Sequence, residues 1–369
     1  MKSKKIPVLF LILLSLTILF TGCGRAKDKT MKAKDSTSAN YSDESSGQDS
    51  QDDISNEPIL PAESTITPAM WKVSDSDGNV IYMMGSIHLA DIEAAVFPDY
   101  FEEAYATCDS LAVECDITNM NANIFSMYKQ MMYTDGTTIA DHVSKDSYEK
   151  AVEIFKKAGQ YSSSYDYMKP IVWVELVETI AAGNSGLSEQ YGVDSNLIKR
   201  AKSENKEILE VESVQFQTNL LFNMPDDIQN VLFDSIAEDE VIEESAEELK
   251  ELYENWKKGT ITEDEVTEEV DETEDMTEEE KKLLEQYNNI LLYDRNIGMR
   301  DAALSYMKDG KKVMFVVGAA HFYGDKGILH LMEDAGCTVE RISPEADTTD
   351  DSNTSETTLP AETQTREAA

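Results

Sequence analysis

Two apolar runs in this chain break off in the same way. Val80-Ile81-Tyr82-Met83-Met84 leads into Gly85-Ser86-Ile87-His88, and Val313-Met314-Phe315-Val316-Val317 leads into Gly318-Ala319-Ala320-His321. Short continuous apolar runs bounded by glycine predict buried strands, since a helix needs a longer, amphipathic stretch. Behind the first, Pro98 opens a helix to about Thr107 whose Phe101, Ala104, Tyr105 and Cys108 share one face, and Ser110 to Cys115 follows as a strand. A mostly helical middle includes Lys169 to Leu176, with Pro170 as a helix start. Gly192-Val193-Asp194 opens a helix to about Ser203, with Asp194 placed as its N-cap, and the strand Glu207 to Glu212 comes next. A long helix is expected from about Glu278 to Met307, then a helix from Lys326 to Ala335 and a strand from Cys337 to Ile342.

This alternation predicts an α/β protein, a central sheet with flanking helices. Both histidine units read strand, G-x-x-H, helix, strand with a glutamate (Glu114 and Glu340), a faint internal β-α-β repeat that rests on pattern alone. Ligands of α/β sheets bind at the carboxyl ends of strands, and that is where both histidines fall.

The ends of the chain have a different character. Lys2, Lys4 and Lys5 precede an uncharged apolar run from Ile6 to Phe20, the order of a secretory signal. The run is shorter than the roughly 20 residues of a membrane span. It closes in Leu19-Phe20-Thr21-Gly22-Cys23, which resembles a bacterial lipoprotein box with Cys23 as the acylated residue, although Phe20 stands where leucine is usual. The expected organisation is a signal peptide over 1–22, a disordered tether over 23–67 starting at lipidated Cys23, a globular domain over 68–343 and a disordered tail over 344–369. That places the domain at the extracytoplasmic face of a membrane.

Charge narrows the partners. With 32 Lys and Arg against 72 Asp and Glu, the 369-residue chain carries a formal charge of −40, which excludes nucleic acid as a partner. Much of the acid lies in an insertion over 238–280, where Leu249, Leu252, Tyr253 and Trp256 keep a helical rhythm. Thr262 with Glu265 and Thr277 with Glu280 have the spacing of capping boxes. No EF-hand spacing is present, so the insertion reads as a solvated helical lid with an acidic outer face.

Of four cysteines, Cys108, Cys115 and Cys337 read as core, and none has metal-site spacing. His88 and His321 are the leading candidates for chemistry, as general bases or metal ligands. His142 and His330 lack such a context. Glu114 sits where an apolar strand would continue if packing alone mattered, and a buried carboxylate needs a partner or a metal. Two imidazoles with one carboxylate suit Zn, Fe, Mn or Co. Arg295 interrupts the apolar stripe Leu284, Leu291, Met299 and Ala302, so it either snorkels outward, pairs with a carboxylate, or stabilises an oxyanion. Glu212 closes its strand as a supporting carboxylate, and Gly85, Ser86, Asp194 and Gly318 complete the surroundings of a substrate.

Taken in order, Gly85-Ser86-Ile87-His88, Glu114, Gly192-Val193-Asp194, Val211-Glu212 with Gln217, Arg295-Asn296 and Val317-Gly318-Ala319-Ala320-His321 resemble the TraB/GumN family. That family includes the Tiki membrane-anchored metalloproteases and the pheromone-shutdown proteins. The resemblance spans about Trp71 to Ile342. It implies an erythromycin-esterase/Tiki-like fold and a peptidase dependent on a divalent metal, with Mn or Co favoured and Zn possible. His88 and His321 match the motif histidines as metal ligands, Glu114 the acidic residue, either a third ligand or the general base, and Arg295 the arginine. Ala320 departs from the family, standing where a second glycine is common. The expected function is a lipid-anchored, metal-dependent hydrolase of a peptide or protein substrate. The competing readings are a protein that sequesters a peptide signal and a metal or haem carrier.

Overall fold

The structure is a computed structural model that describes residues 60–118, 124–266 and 277–344. Expectations for the signal peptide, Cys23, the tether and the tail therefore fall outside the described residues. Six strands form one sheet in the order β4-β3-β5-β2-β1-β6. They are β1 (Met70–Ser74), β2 (Val80–Ser86), β3 (Ser110–Val113), β4 (Glu207–Glu210), β5 (Val313–Gly318) and β6 (Thr338–Arg341). β4, β3, β5 and β2 run parallel, while β1 lies antiparallel between β2 and β6. The expected α/β class holds.

β1 has neither a long apolar run nor a bounding glycine, and the apolar pattern does not predict it. It is joined to β2 by a turn in which Asp75 accepts from the backbone of Asp77 and Asn79 (3.0 and 2.8 Å) and Gly78 takes φ 84°. One face of the sheet buries Met84, Leu111, Val113, Met314 and Val316; the other buries Ile81, Met83, Ala112, Phe315 and Val317. Burial on both faces is why these strands read as unbroken apolar runs. A second, helical core surrounds Trp173 on the helix Pro170–Ser185.

The parallel register sets Ser86 opposite Gly318 and Val113 opposite Val316. Both G-x-x-H turns and Glu114 thus leave the same edge of the sheet. Beyond β4 the ladder continues, with the N–H groups of Val211 and Glu212 donating to the carbonyls of Val113 and Glu114 (2.9 and 2.7 Å). The two histidine units differ in their second strands. Glu114 is buried just beyond β3, whereas Glu340 is exposed in β6 at the far margin, opposite Lys72.

Three local expectations change. The acidic helix, Val241–Lys258, does turn Glu243, Glu247, Glu248, Glu251 and Glu254 to solvent, but its other face is a wall of the core. Tyr253 donates to Asp91 (2.6 Å), and the Trp256 indole N–H donates to the Gly85 carbonyl (2.9 Å). This segment is built into the first histidine turn and is no solvated lid. Thr262 and Glu265 do pair, and they close a turn over the described residues up to Val266. Thr277 does precede a helix, Glu278–Asn288. The long helix beyond it is interrupted by a π-helical stretch, Asn289–Tyr293, before Asp294–Lys308. Such stretches shift the register of all that follows. Ala303, at i+4 from Met299, is buried where the stripe places Ala302, which is only part-buried.

Candidate functional site

At the carboxyl edge of the sheet, Arg295 joins two carboxylates. Its Nε donates to Glu212 Oε1 (2.8 Å), and its Nη2 donates to Glu212 Oε2 (2.8 Å) and Glu114 Oε2 (2.6 Å). Nη1 donates to the Leu291 carbonyl (2.8 Å) within the π-helical stretch. Only 3% of Arg295 is exposed, so it pairs and does not snorkel. The Gln217 amide donates to both carboxylates (2.8 Å each), and the Cys115 thiol donates to Gln217 Oε1 (3.2 Å). Glu114 Oε1 is held by the Gly318 N–H (2.7 Å).

Burial by itself would raise the Glu114 pKa. The charge of Arg295 outweighs it, helped by the Gly318 N–H, and holds the carboxyl at about 2. His321 is buried 3.7 Å from Glu114 Oε1 through its Nε2. Asn296 fixes its tautomer. The Asn296 Nδ2 donates to the Lys326 carbonyl (2.9 Å), so its Oδ1 faces His321 Nδ1 (2.6 Å) and accepts from it. Nε2 is then the lone-pair nitrogen. Burial first, and then the Arg295 charge, lowers the His321 pKa to about 3.

His88 stands at the end of β2 with Nδ1 2.6 Å from Asp194 Oδ2. Asp194 is not the N-cap of its helix, Val193–Ser203; Gly192 is, and Asp194 turns inward from the first turn. The strap 188–193 is laced to the His88 turn by a bridge between Ala90 and Ser188 and by the Val193 N–H on the Ile87 carbonyl (2.9 Å). Glu189, which the pattern does not single out, lies on this strap. Burial raises its carboxyl pKa to about 7, against the opposing charge of His88.

Of the remaining histidines, His142 stacks on Tyr133 (4.0 Å between centroids) and His330 sits at the surface 3.7 Å from Asp334, both away from this edge. Cys108, Cys115 and Cys337 are buried free thiols.

The donor chemistry fits a cation at one place. With the tautomer set by Asn296, His321 Nε2 presents its lone pair toward Glu114 Oε1 across 3.7 Å. Among the described residues no group of three or more His, Cys, Asp or Glu side chains is arranged to hold a metal, so the two-histidine, one-carboxylate set does not converge as a finished cluster.

Two glycines make the local packing testable. A Cβ on Gly192 would meet the His88 carbonyl oxygen at 2.3 Å, whereas a Cβ on helical Gly183 would meet nothing within 4 Å. Gly192→Ala is expected to cost about 1–3 kcal/mol and to displace His88. Gly183→Ala should instead add about 0.5–1 kcal/mol. Urea unfolding with histidine NMR of both variants checks the contrast.

A mixed α/β protein with a buried carboxylate–arginine–histidine centre at the carboxyl edge of its sheet is the class these features define. The chain belongs to the TraB/PrgY/gumN family, whose model matches residues 69–341. It is 22% identical over 252 residues to an uncharacterized protein, YbaP, of Escherichia coli (strain K12), covering 68% of this chain and 87% of that protein. The YbaP of Shigella flexneri gives the same figures. No solved structure matches significantly.

Proposed function

We propose that this chain is a lipid-anchored, extracytoplasmic hydrolase of peptides that works with a divalent metal, Mn or Co before Zn. The observation that carries the reading is the lone pair of His321 Nε2 facing the ionised Glu114 Oε1 across 3.7 Å. His88, His321 and Glu114 are the residues that would hold the ion. When bound, such an ion supplies the positive charge that makes water a nucleophile at neutral pH.

Glu114 reads better as a ligand than as a general base, because a carboxyl held at about 2 has little appetite for a proton. Asn296 keeps Nε2 of His321 deprotonated and aimed at Glu114. Arg295 has Nε and Nη2 committed to Glu212 and Glu114, so its part is to orient them and offset their charge rather than meet an oxyanion. In the net reaction the water oxygen bonds to the scissile carbonyl carbon, the C–N bond breaks, and the amine leaves with the proton.

Digestion of a peptide library with and without chelator, read by mass spectrometry, tests the reading. Chelator-sensitive cleavage is expected, and it should vanish in His321→Ala. Intact peptides retained by a metal-free protein would favour sequestration instead.

Anchoring rests on the N-terminal order of lysines, apolar run and Thr21-Gly22-Cys23. No helix among the described residues is long and apolar enough to cross a membrane. One acyl chain binds membranes only marginally and two hold firmly, as a diacylated cysteine would. Cys23→Ser is expected to move the protein out of the membrane fraction or leave an unprocessed precursor. Unchanged fractionation with a mature N-terminus elsewhere would refute the anchor.

A further inference from the structure

Ser86 is buried to 1% exposure, and its Oγ has no hydrogen-bond partner among the described residues. A buried hydroxyl normally finds a partner, because leaving one unmade is expensive. In a helix it would turn back on a carbonyl one turn earlier. Within the parallel ladder of β2 and β5 that recourse is missing, and alanine would fill the position without the cost.

The place of this hydroxyl follows from register. Ser86 is the strand partner of Gly318, about 4.8 Å away across the ladder. Paired residues of neighbouring strands project to the same face of a sheet. The direction of that face is given by Gly318 itself, where a Cβ would lie 3.0 Å from Glu114 Oε1 and 3.5 Å from the His321 ring. The Ser86 side chain therefore leaves the sheet on the face that carries Glu114 Oε1 and the His321 ring, one strand over from Gly318. Glycine at 318 keeps the path between them open, since any side chain there would press on Glu114 and His321.

Glu114 Oε1 and His321 Nε2 are both acceptors toward each other, and Ser86 Oγ–H is an unpartnered donor on the same face, one strand beyond Gly318. A solvent oxygen is stably held by two to four such polar partners. We infer that Ser86 is the water-positioning residue of this centre: its hydroxyl holds the solvent oxygen that Glu114 Oε1 and His321 Nε2 also address. The role in turnover rests on the hydrolase reading given above, whereas the holding of solvent does not.

The test is a crystal structure of the mature chain, grown once with chelator and once with Mn2+, for the wild type and for Ser86→Ala. The two conditions tell a water alone from one accompanied by an ion. Expected with chelator is a solvent oxygen within hydrogen-bond reach of Ser86 Oγ and of Glu114 Oε1 or His321 Nε2, and with Mn2+ a solvent oxygen still held by Ser86 Oγ, displaced in Ser86→Ala in both. Metal-free Ser86→Ala should melt at or above the wild-type temperature. Its kcat on a cleaved peptide should fall about 10- to 100-fold with KM little changed, and Ser86→Thr should restore it. Ordered solvent lost in Ser86→Ala, in a wild type that cleaves no peptide, would uphold the water site and remove the hydrolase reading. A Ser86 Oγ bonded to the chain's own carbonyl, solvent unmoved in Ser86→Ala, or wild-type kcat in that variant would overturn the inference.

Discussion

Arg295→Ala is expected to lose about 3–5 kcal/mol of folding stability, a large share of what a domain of this size has in reserve. The reason is what remains behind. Glu114 and Glu212 would face each other as buried carboxylates, held together by Gln217 and deprived of the guanidinium that now joins them. Removing one partner of a buried pair costs more than the pair itself contributes, because the survivor keeps its desolvation penalty. Arg295→Lys should recover only part, since a single ammonium cannot reproduce the forked contact with Glu212 and the bond to Glu114 together. Urea denaturation at pH 7 measures both variants. An Arg295→Ala protein as stable as the wild type would contradict the role assigned to this network.

Stability against pH should show a plateau and then a cliff, from groups that pull in opposite directions. His321 has its pKa lowered from 6.5 to about 3, so between those values the unfolded chain takes a proton that the folded chain refuses, and stability falls with pH. Glu175 works the other way. It lies 4% exposed in the apolar run of its helix, and burial, with Glu178 adding to it, raises its pKa well above 4.5. Its carboxyl stays protonated in the fold while the unfolded chain ionises, so acidification toward 4.5 relieves a cost. Below 4.5 that relief is complete, and Glu114, lowered from 4.5 to about 2, joins His321 in destabilising the fold. Two groups at about 1.4 kcal/mol per pH unit each make the descent steep. Glu175→Leu is expected to stabilise the protein at pH 7, with the pH-dependent part of the gain vanishing near pH 4.5. Urea midpoints at pH 7, 6, 5 and 4 test this, and a gain independent of pH would show that Glu175 is ionised in the fold.

Much of the edge was legible because apolar strands buried on both faces leave few reasons for a polar residue. His88 and His321 after glycine turns, and Glu114 where packing alone would ask for another apolar residue, stand out on that ground. Arg295 stood out as a break in a stripe, but whether it snorkelled or paired depended on Glu212, 83 residues away in sequence. Asp194 sits in the first turn of its helix, where acidic residues are common, and only the approach of the β2 turn reveals its contact with His88. The π-helical stretch at Asn289–Tyr293 leaves no mark in composition. Trp256 looked like helix packing because an indole carries its one polar atom on a large apolar body. Glu175 did carry the signal used for Glu114, a carboxylate inside an apolar run, and it turned out to lie in a helical core instead of at the sheet edge. The sheet order, with β5 set between β2 and β3 and β6 paired to β1, depends on pairings too distant in sequence for any local period to encode.

The bond from the Trp256 indole to the Gly85 carbonyl gives the molecule an optical handle. Indole emission responds to the polarity and hydrogen bonding of its N–H, and the chain contains only three tryptophans, Trp71, Trp173 and Trp256. With Trp71 and Trp173 replaced by phenylalanine, the remaining fluorescence would come from a chromophore fastened to the first residue of the Gly85-Ser86-Ile87-His88 turn. Any ligand that tightens or loosens that turn would then be visible in the emission spectrum, before its identity or its fate is known.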